Sequence, residues 1–237
     1  MAPSQYNLAI ETTSRQGTLA LGRGEALLEV IDLPVQRRHN VGLVPGIDRL
    51  CRAHGVTPTG LDEVYISLGP GSFTGLRVAV AAVKMLALAR GVKVVGVPTL
   101  EVVARQADPA HEHVAVCLNL KRDEVYCGVY RRQGEDVHPV TRPALRTVAA
   151  LLCEAPRPVA LLGEMLPELP ADMDEQVTVL PPEAARPRAE NVWHVGRALA
   201  QRGAYSDPFT LEPMYVRRPE AVELWERRVS DRSAAAS

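Results

Sequence analysis

Aromatic side chains are scarce: two phenylalanines, two tryptophans and six tyrosines make up 4% of 237 residues. A core must therefore be built mainly from Ala, Val and Leu. Excess charge of one sign is also missing. Lys and Arg number 27 against 28 Asp and Glu, a formal net charge of −1, which provides no general attraction to nucleic acid. No run approaches the roughly 18 unbroken apolar residues of a membrane-spanning helix. Cys51, Cys117, Cys127 and Cys153 show no CxxC spacing, which speaks against a zinc ribbon or a disulfide scaffold. The opening Met1-Ala2-Pro3-Ser4-Gln5 lacks the basic and apolar regions of a signal peptide, so a soluble cytoplasmic protein with no membrane partner is expected. The rest is ordinary: 46% hydrophobic and 23% charged residues suit a globular chain of one large or two modest domains.

The chain is organised around Gly69-Pro70-Gly71-Ser72-Phe73-Thr74-Gly75-Leu76-Arg77. Before it, Val64-Tyr65-Ile66-Ser67-Leu68 has the β-branched and aromatic content of a short buried strand. After it, Ser72 or Thr74 can cap a helix that runs to Arg90 and stops at Gly91. Residues 92–97 form the next strand, so the unit is a parallel pair with a right-handed crossover. A glycine-rich turn feeding a helix N-terminus suits an anion, which makes Gly69, Gly71 and Ser72 candidate phosphate-loop residues. The same turn also serves plain packing.

Between Leu76 and Arg90 only Arg77, Lys84 and Arg90 are polar. A surface helix needs a single apolar stripe, so this one must be covered on a second side as well. Its own sheet takes the small face (Gly75, Ala79, Ala82, Leu86, Ala89). That leaves two flanks, Leu76/Val80/Val83/Ala87 and Val78/Ala81/Met85/Leu88. The sequence does not say which one a neighbouring helix covers and which is open to a second protein.

Taken in order, the chain begins with a strand over 7–10, a polar turn at Glu11-Thr12-Thr13-Ser14, a returning strand over 17–22 and a third over 26–33. Thr12 and Thr13 are candidate phosphate contacts, although an ordinary β-turn has the same composition. Residues 38–54 read as a helix on Leu43, Ile47 and Leu50, with a kink or late start at Pro45. A second meander follows over 114–140, with Asn119 to Asp123 as its turn. Strand, acid- or amide-bearing turn, strand, glycine turn, strand thus occurs twice, which predicts a duplicated α/β fold with a cleft between the halves. A short helix over 147–153, a buried strand over 159–163 and an amphipathic helix over 191–202 complete the second half. His111 and His113 share one face with no third ligand nearby, so no metal is expected there.

These words, together with Ile10-Glu11-Thr12-Thr13, Arg38-His39-Asn40, Leu43-Val44-Pro45, Gly96-Val97-Pro98-Thr99-Leu100, Glu124-Val125-Tyr126 and Glu212-Pro213-Met214-Tyr215-Val216-Arg217, resemble the bacterial TsaB (YeaZ) family in order over about residues 7 to 220. The resemblance implies the actin/hexokinase/Hsp70-like fold, α/β and built of two ribonuclease-H-like lobes. These would be residues 1–105 and 106–222, with 223–237 as a flexible tail. It also implies a subunit of the machinery that makes threonylcarbamoyladenosine beside the anticodon of tRNAs reading ANN codons. The catalytic partner there is a TsaD-like sister subunit, forming a heterodimer, and TsaE is the associated ATPase. tRNA would be met only through the complex, and a homodimer is the expectation when the sister is absent.

The residues bear on whether this chain catalyses alone. In the sister subunit two histidines four apart hold the metal, and the matching positions here are Thr99 and Val103, neither a good ligand. Where the wider ATPase fold places an Asp in each meander turn, this chain has Glu11 and Asn119, and an amide carries no charge to position magnesium. Nothing resembles a Ser-His-Asp or Cys-His set. The expectation is a non-catalytic, dimerising subunit that binds no cofactor alone and leaves ATP or ADP and metal to the assembled complex. The alternative is a stand-alone phosphotransferase of the acetate- or sugar-kinase kind. The expected partner surface comprises Leu43, Ile47, Leu50, Leu76, Val80, Val83 and Met85.

Overall fold

The structure, a computed structural model, describes residues 5–34, 42–121, 124–164, 166 and 174–216, with the backbone alone at 119–121 and 124. In chain order the elements are β1 (Tyr6–Glu11), β2 (Thr18–Arg23), β3 (Ala26–Asp32), α1 (Leu43–Ala53), β4 (Glu63–Gly69), α2 (Phe73–Arg90), β5 (Lys93–Pro98) and α3 (Thr99–Ala104). They continue with β6 (His113–Lys121), β7 (Glu124–Gln133), β8 (Asp136–Pro139), β9 (Ala144–Arg146), α4 (Val148–Glu154), β10 (Val159–Leu162), β11 (Val177–Val179) and α5 (Ala189–Gln201).

The first sheet has the order β3-β2-β1-β4-β5, antiparallel in its meander and parallel from β1 through β4 to β5. The second repeats this as β8-β7-β6-β10-β11, with β9 added beside β7. The same permutation twice, with the same mix of parallel and antiparallel pairs, is the duplicated ribonuclease-H-like fold, the α/β class expected from the repeated meander.

Local chemistry explains the central unit. Ser72 caps α2 by accepting a hydrogen bond from the Gly75 N–H at 3.2 Å. Gly91 ends the helix at φ +67, in the left-handed region, and its N–H donates to the Ala87 carbonyl at 2.7 Å. Pro45 sits in the first turn of α1, where no intrahelical N–H is needed, so the helix starts late at Leu43. The second meander differs from expectation at its tip. Asn119 stays in the ladder opposite Val125, and the strand runs on through a register shift to Lys121. The short strands β9 and β11 have too few residues to show a period and were not expected from the sequence.

Both sheets are buried on both faces, and alternate residues along each strand supply the two sides. Leu8, Ile10, Val64, Ile66 and Val94 face α1 and α2, while Ala9, Tyr65 and Val95 face α5 through Val192 and Trp193. In the second sheet Ala115, Cys117 and Leu161 pack on α4, whereas Val114, Val116 and Leu162 receive Leu100, Val103 and Ala104 of α3. The expected division at 105/106 puts α3 in the first lobe and α5 in the second. In the packing, each of these helices serves mainly the other lobe's sheet. Residues 223–237, the expected tail, lie outside the described residues.

The exchange is tightest at Gly196 of α5, where an added Cβ would stand 2.5 Å from both Cβ and Cγ of Tyr65. Tyr65 cannot retreat: it is fully buried, and its hydroxyl donates to Glu63 at 2.5 Å. In an open helix Gly→Ala stabilises by about 1 kcal/mol. Here overpacking, worth about 1–3 kcal/mol, should prevail. Gly196→Ala is therefore expected to lower the urea midpoint, and a raised midpoint would show that α5 is not wedged on Tyr65.

Candidate functional site

Three places carry the candidate residues. At the first, the turn after β1 meets the turn before α2. Thr12 Oγ1 donates to the Gly75 carbonyl at 3.0 Å, and the Ser72 N–H donates to the Thr13 carbonyl at 2.7 Å. Contact is backbone on backbone, since a side chain at Gly71 would overlap Thr13 and one at Gly75 would overlap the Thr12 carbonyl. Gly69, at φ +107, adopts a conformation suited to glycine.

Thr12, Thr13, Gly69, Gly71 and Ser72 are thus brought together, but several donors proposed for an anion already have partners. The Ser72 N–H is held by Thr13, the Gly75 N–H by Ser72, and the Gly69 N–H by Thr99 Oγ1 at 3.1 Å. The Thr13 N–H and hydroxyl both donate to Glu11 at 2.5 Å, and Ser67 donates to the other carboxylate oxygen. Glu11 is fully buried. Burial pushes its carboxyl above the usual range, while the hydrogen bonds from Ser67 and Thr13 pull it back. A buried carboxyl occupied by its own loop is a poor neighbour for phosphate.

The second place is a cavity of about 310 Å³ between the lobes, lined by Gly69, Glu101, Tyr126, Tyr130 and Arg142 among others. Thr99 and Val103, the two positions weighed above against metal ligands, lie on α3 beside it. Thr99 uses its hydroxyl on Gly69, and Val103 is fully buried in the apolar contact with the second sheet. This pair therefore does not fit a metal, and among the described residues no group of three or more His, Cys, Asp or Glu could hold one. Glu101 was missed in the sequence. Its signal was a lone carboxylate within Leu100-Glu101-Val102-Val103-Ala104. Burial pushes its carboxyl up to about 7, with Arg202 pulling the other way.

The third place is the outer surface of α2, where the expected partner surface needs correction. Leu43, Ile47, Leu50, Val80 and Val83 belong to the core between α1, α2 and the first sheet, and Leu76 is 1% exposed. All six offer a partner no surface. Met85 remains, 69% exposed, beside Leu88 at 68%, Ala81 and the half-buried Val78. The strip next to it is covered by the chain itself: Lys84 Nζ donates to the Phe209 carbonyl, and Arg77 lies 3.8 Å over the Phe73 ring and donates to Tyr215. Of the family words, Arg38-His39-Asn40 and Arg217 lie outside the described residues. Among the described residues no helix is long and apolar enough to cross a membrane.

The Glu101 shift sets a pH dependence. A carboxyl whose folded value lies near 7, above its ordinary 4.5, contributes stability that is fully present below pH 4.5 and is lost as pH rises through 7. The span from 4.5 to about 7 corresponds to about 3–4 kcal/mol at most. Urea unfolding at pH 5 and pH 8 should show lower stability at pH 8, and Glu101→Gln should shrink the difference. Equal differences in wild type and variant would remove Glu101 as the cause.

The family model described as "TsaD: tRNA N6-adenosine threonylcarbamoyltransferase" matches residues 33–200. The chain is 28% identical over 159 residues to the tRNA threonylcarbamoyladenosine biosynthesis protein TsaB of Bacillus subtilis, covering 66% of this chain and 69% of that protein. To the Escherichia coli protein of the same description it is 27% identical over 146 residues, covering 58% and 63%. The match thus spans about two thirds of these relatives' lengths. A solved Pseudomonas aeruginosa protein, described as uncharacterized with similarity to the peptidase YeaZ, shares the fold. Its TM-score is 0.77 at 24% identity, over 90% of this chain and 100% of that one. With a family model over most of its length, TsaB relatives in sequence and a YeaZ-like fold, the chain belongs to this threonylcarbamoyltransferase family as a TsaB (YeaZ) member.

Proposed function

We propose that the protein is a non-catalytic subunit in tRNA threonylcarbamoyladenosine biosynthesis, paired with a TsaD-like catalytic subunit. One observation carries this reading. The cleft positions that would hold a metal are a hydroxyl already in use and a buried valine, while α2 turns an apolar flank outward at Met85 and Leu88. Activity is thereby moved from the cleft to a surface. A TsaE-like ATPase, ATP or ADP, metal and tRNA belong to the assembled complex in the cytoplasm, and a second copy of this chain takes the sister's place when it is missing.

The proposed contact is the flank Val78/Ala81/Met85/Leu88. Burying one large apolar side chain is worth about 1.5–3 kcal/mol, so a charge at its centre should weaken pairing tenfold or more. Met85→Glu is expected to abolish co-elution with the catalytic subunit while the circular dichroism stays native. Val80→Glu, placing a carboxylate in this chain's own core, is expected to unfold the protein. Full co-elution of Met85→Glu would move the interface elsewhere.

In cells, depletion of the protein should strip threonylcarbamoyladenosine from tRNAs reading ANN codons while the catalytic subunit is still present. Unchanged nucleoside content by mass spectrometry would overturn the functional reading. So would modification of tRNA by this chain without its sister.

A further inference from the structure

The interlobe cavity gathers polar groups that the fold itself leaves without partners. Glu101 stands in the first turn of α3 and lines the cavity, half-buried. Among the described residues, no side chain or backbone group donates a hydrogen bond to its carboxylate. Arg202, just past the end of α5, is near enough to act on its charge, and its guanidinium also reaches Asp136 at 3.4 Å. Tyr130 of β7, 1% exposed, lines the same cavity close enough to feel the Glu101 charge, and its hydroxyl is likewise without a hydrogen bond among the described residues. Both groups line the cavity, where water or a ligand can meet them.

The opposite pole is Arg142, which is exposed and also lines the cavity. Tyr126 lies close enough to feel its charge, and Tyr126 in turn acts on Tyr130. The lining therefore runs from carboxylate through two tyrosines to guanidinium. The remaining walls include the apolar Pro98, Leu100 and Met214.

We propose that this cleft binds a small zwitterion, its cationic amino group at Glu101 beside the tyrosines and its carboxylate at Arg142. A simple anion would meet the Glu101 carboxylate inside, and a simple cation would meet Arg142 on entry. Tyrosine faces favour a cationic nitrogen. A volume of about 310 Å³ lies at the lower end of the range for ligand pockets, which suits a single amino-acid-sized molecule. The site is separate from the α2 flank, since α2 and α3 lie on opposite faces of the first sheet.

The test uses the full chain and named probes: the twenty standard α-amino acids and glycine betaine, each at about 10 mM, with acetate and methylammonium as single-charge controls. Binding is read by saturation-transfer NMR and by the thermal midpoint. At least one zwitterion is expected to give transfer and raise the midpoint, with neither control matching it. Glu101→Gln, which keeps the side chain's volume, and Arg142→Ala, at the exposed rim, should each weaken the binding about tenfold or more. Three results would overturn the proposal: no zwitterion binds the natively folded protein, acetate or methylammonium binds equally well, or binding survives unchanged in both variants. None of them touches the role proposed for the α2 flank.

Discussion

The fold depends on one constraint: both sheets carry apolar residues on both faces, so each needs a cover on both sides. For the first sheet, α1 and α2 cover the side of Leu8, Ile10 and Val64. Close by in sequence only Val102 of α3 joins that face, and α5 covers Ala9, Ala20 and Tyr65 after a detour through the whole second lobe. The second sheet is completed by α3, which follows directly from β5 of the first. The two lobes are therefore sewn together by an exchange of helices, and the cavity lies along that seam.

A second close contact sets the turns at the start of α2. The turn after β1 and the turn before α2 are pressed together at Gly71 and Gly75, and their N–H groups and hydroxyls are spent largely on one another. Glu11 is drawn into the same cluster. A loop packed in this way holds α2 at a fixed height over the sheet. The geometry that elsewhere suits an anion is used here to position a helix, and the outer flank of that helix is where an apolar surface is left over.

Much of this was legible in the sequence. The strand over 64–68, a helix cap at Ser72 or Thr74, the Gly91 stop and the repeated meander each rest on a local rule that tertiary packing had no reason to override. The choice between the two flanks of α2 was not legible. Periodicity reports that Val80 and Met85 are both apolar and says nothing of which one α1 covers. Glu101 was hidden for a related reason: a carboxylate in a first helical turn looks like a dipole partner, and only the approach of β7 turns it into a cavity wall. The destination of α5 was equally invisible, because an amphipathic helix declares an apolar face without naming the sheet that receives it.

The exchange of α5 has a consequence for how the chain is made. Synthesis proceeds from the N-terminus and early domains ordinarily fold first. Here the first sheet can be fully strung by β5, yet one of its faces, met only by Val102 of α3, stays largely uncovered until Ala189–Gln201 has left the ribosome. For about a hundred further residues the nascent lobe presents Ala9, Ala20, Tyr65 and Val95 to whatever is near. The packing of the first sheet is thus completed only once α5 has been made.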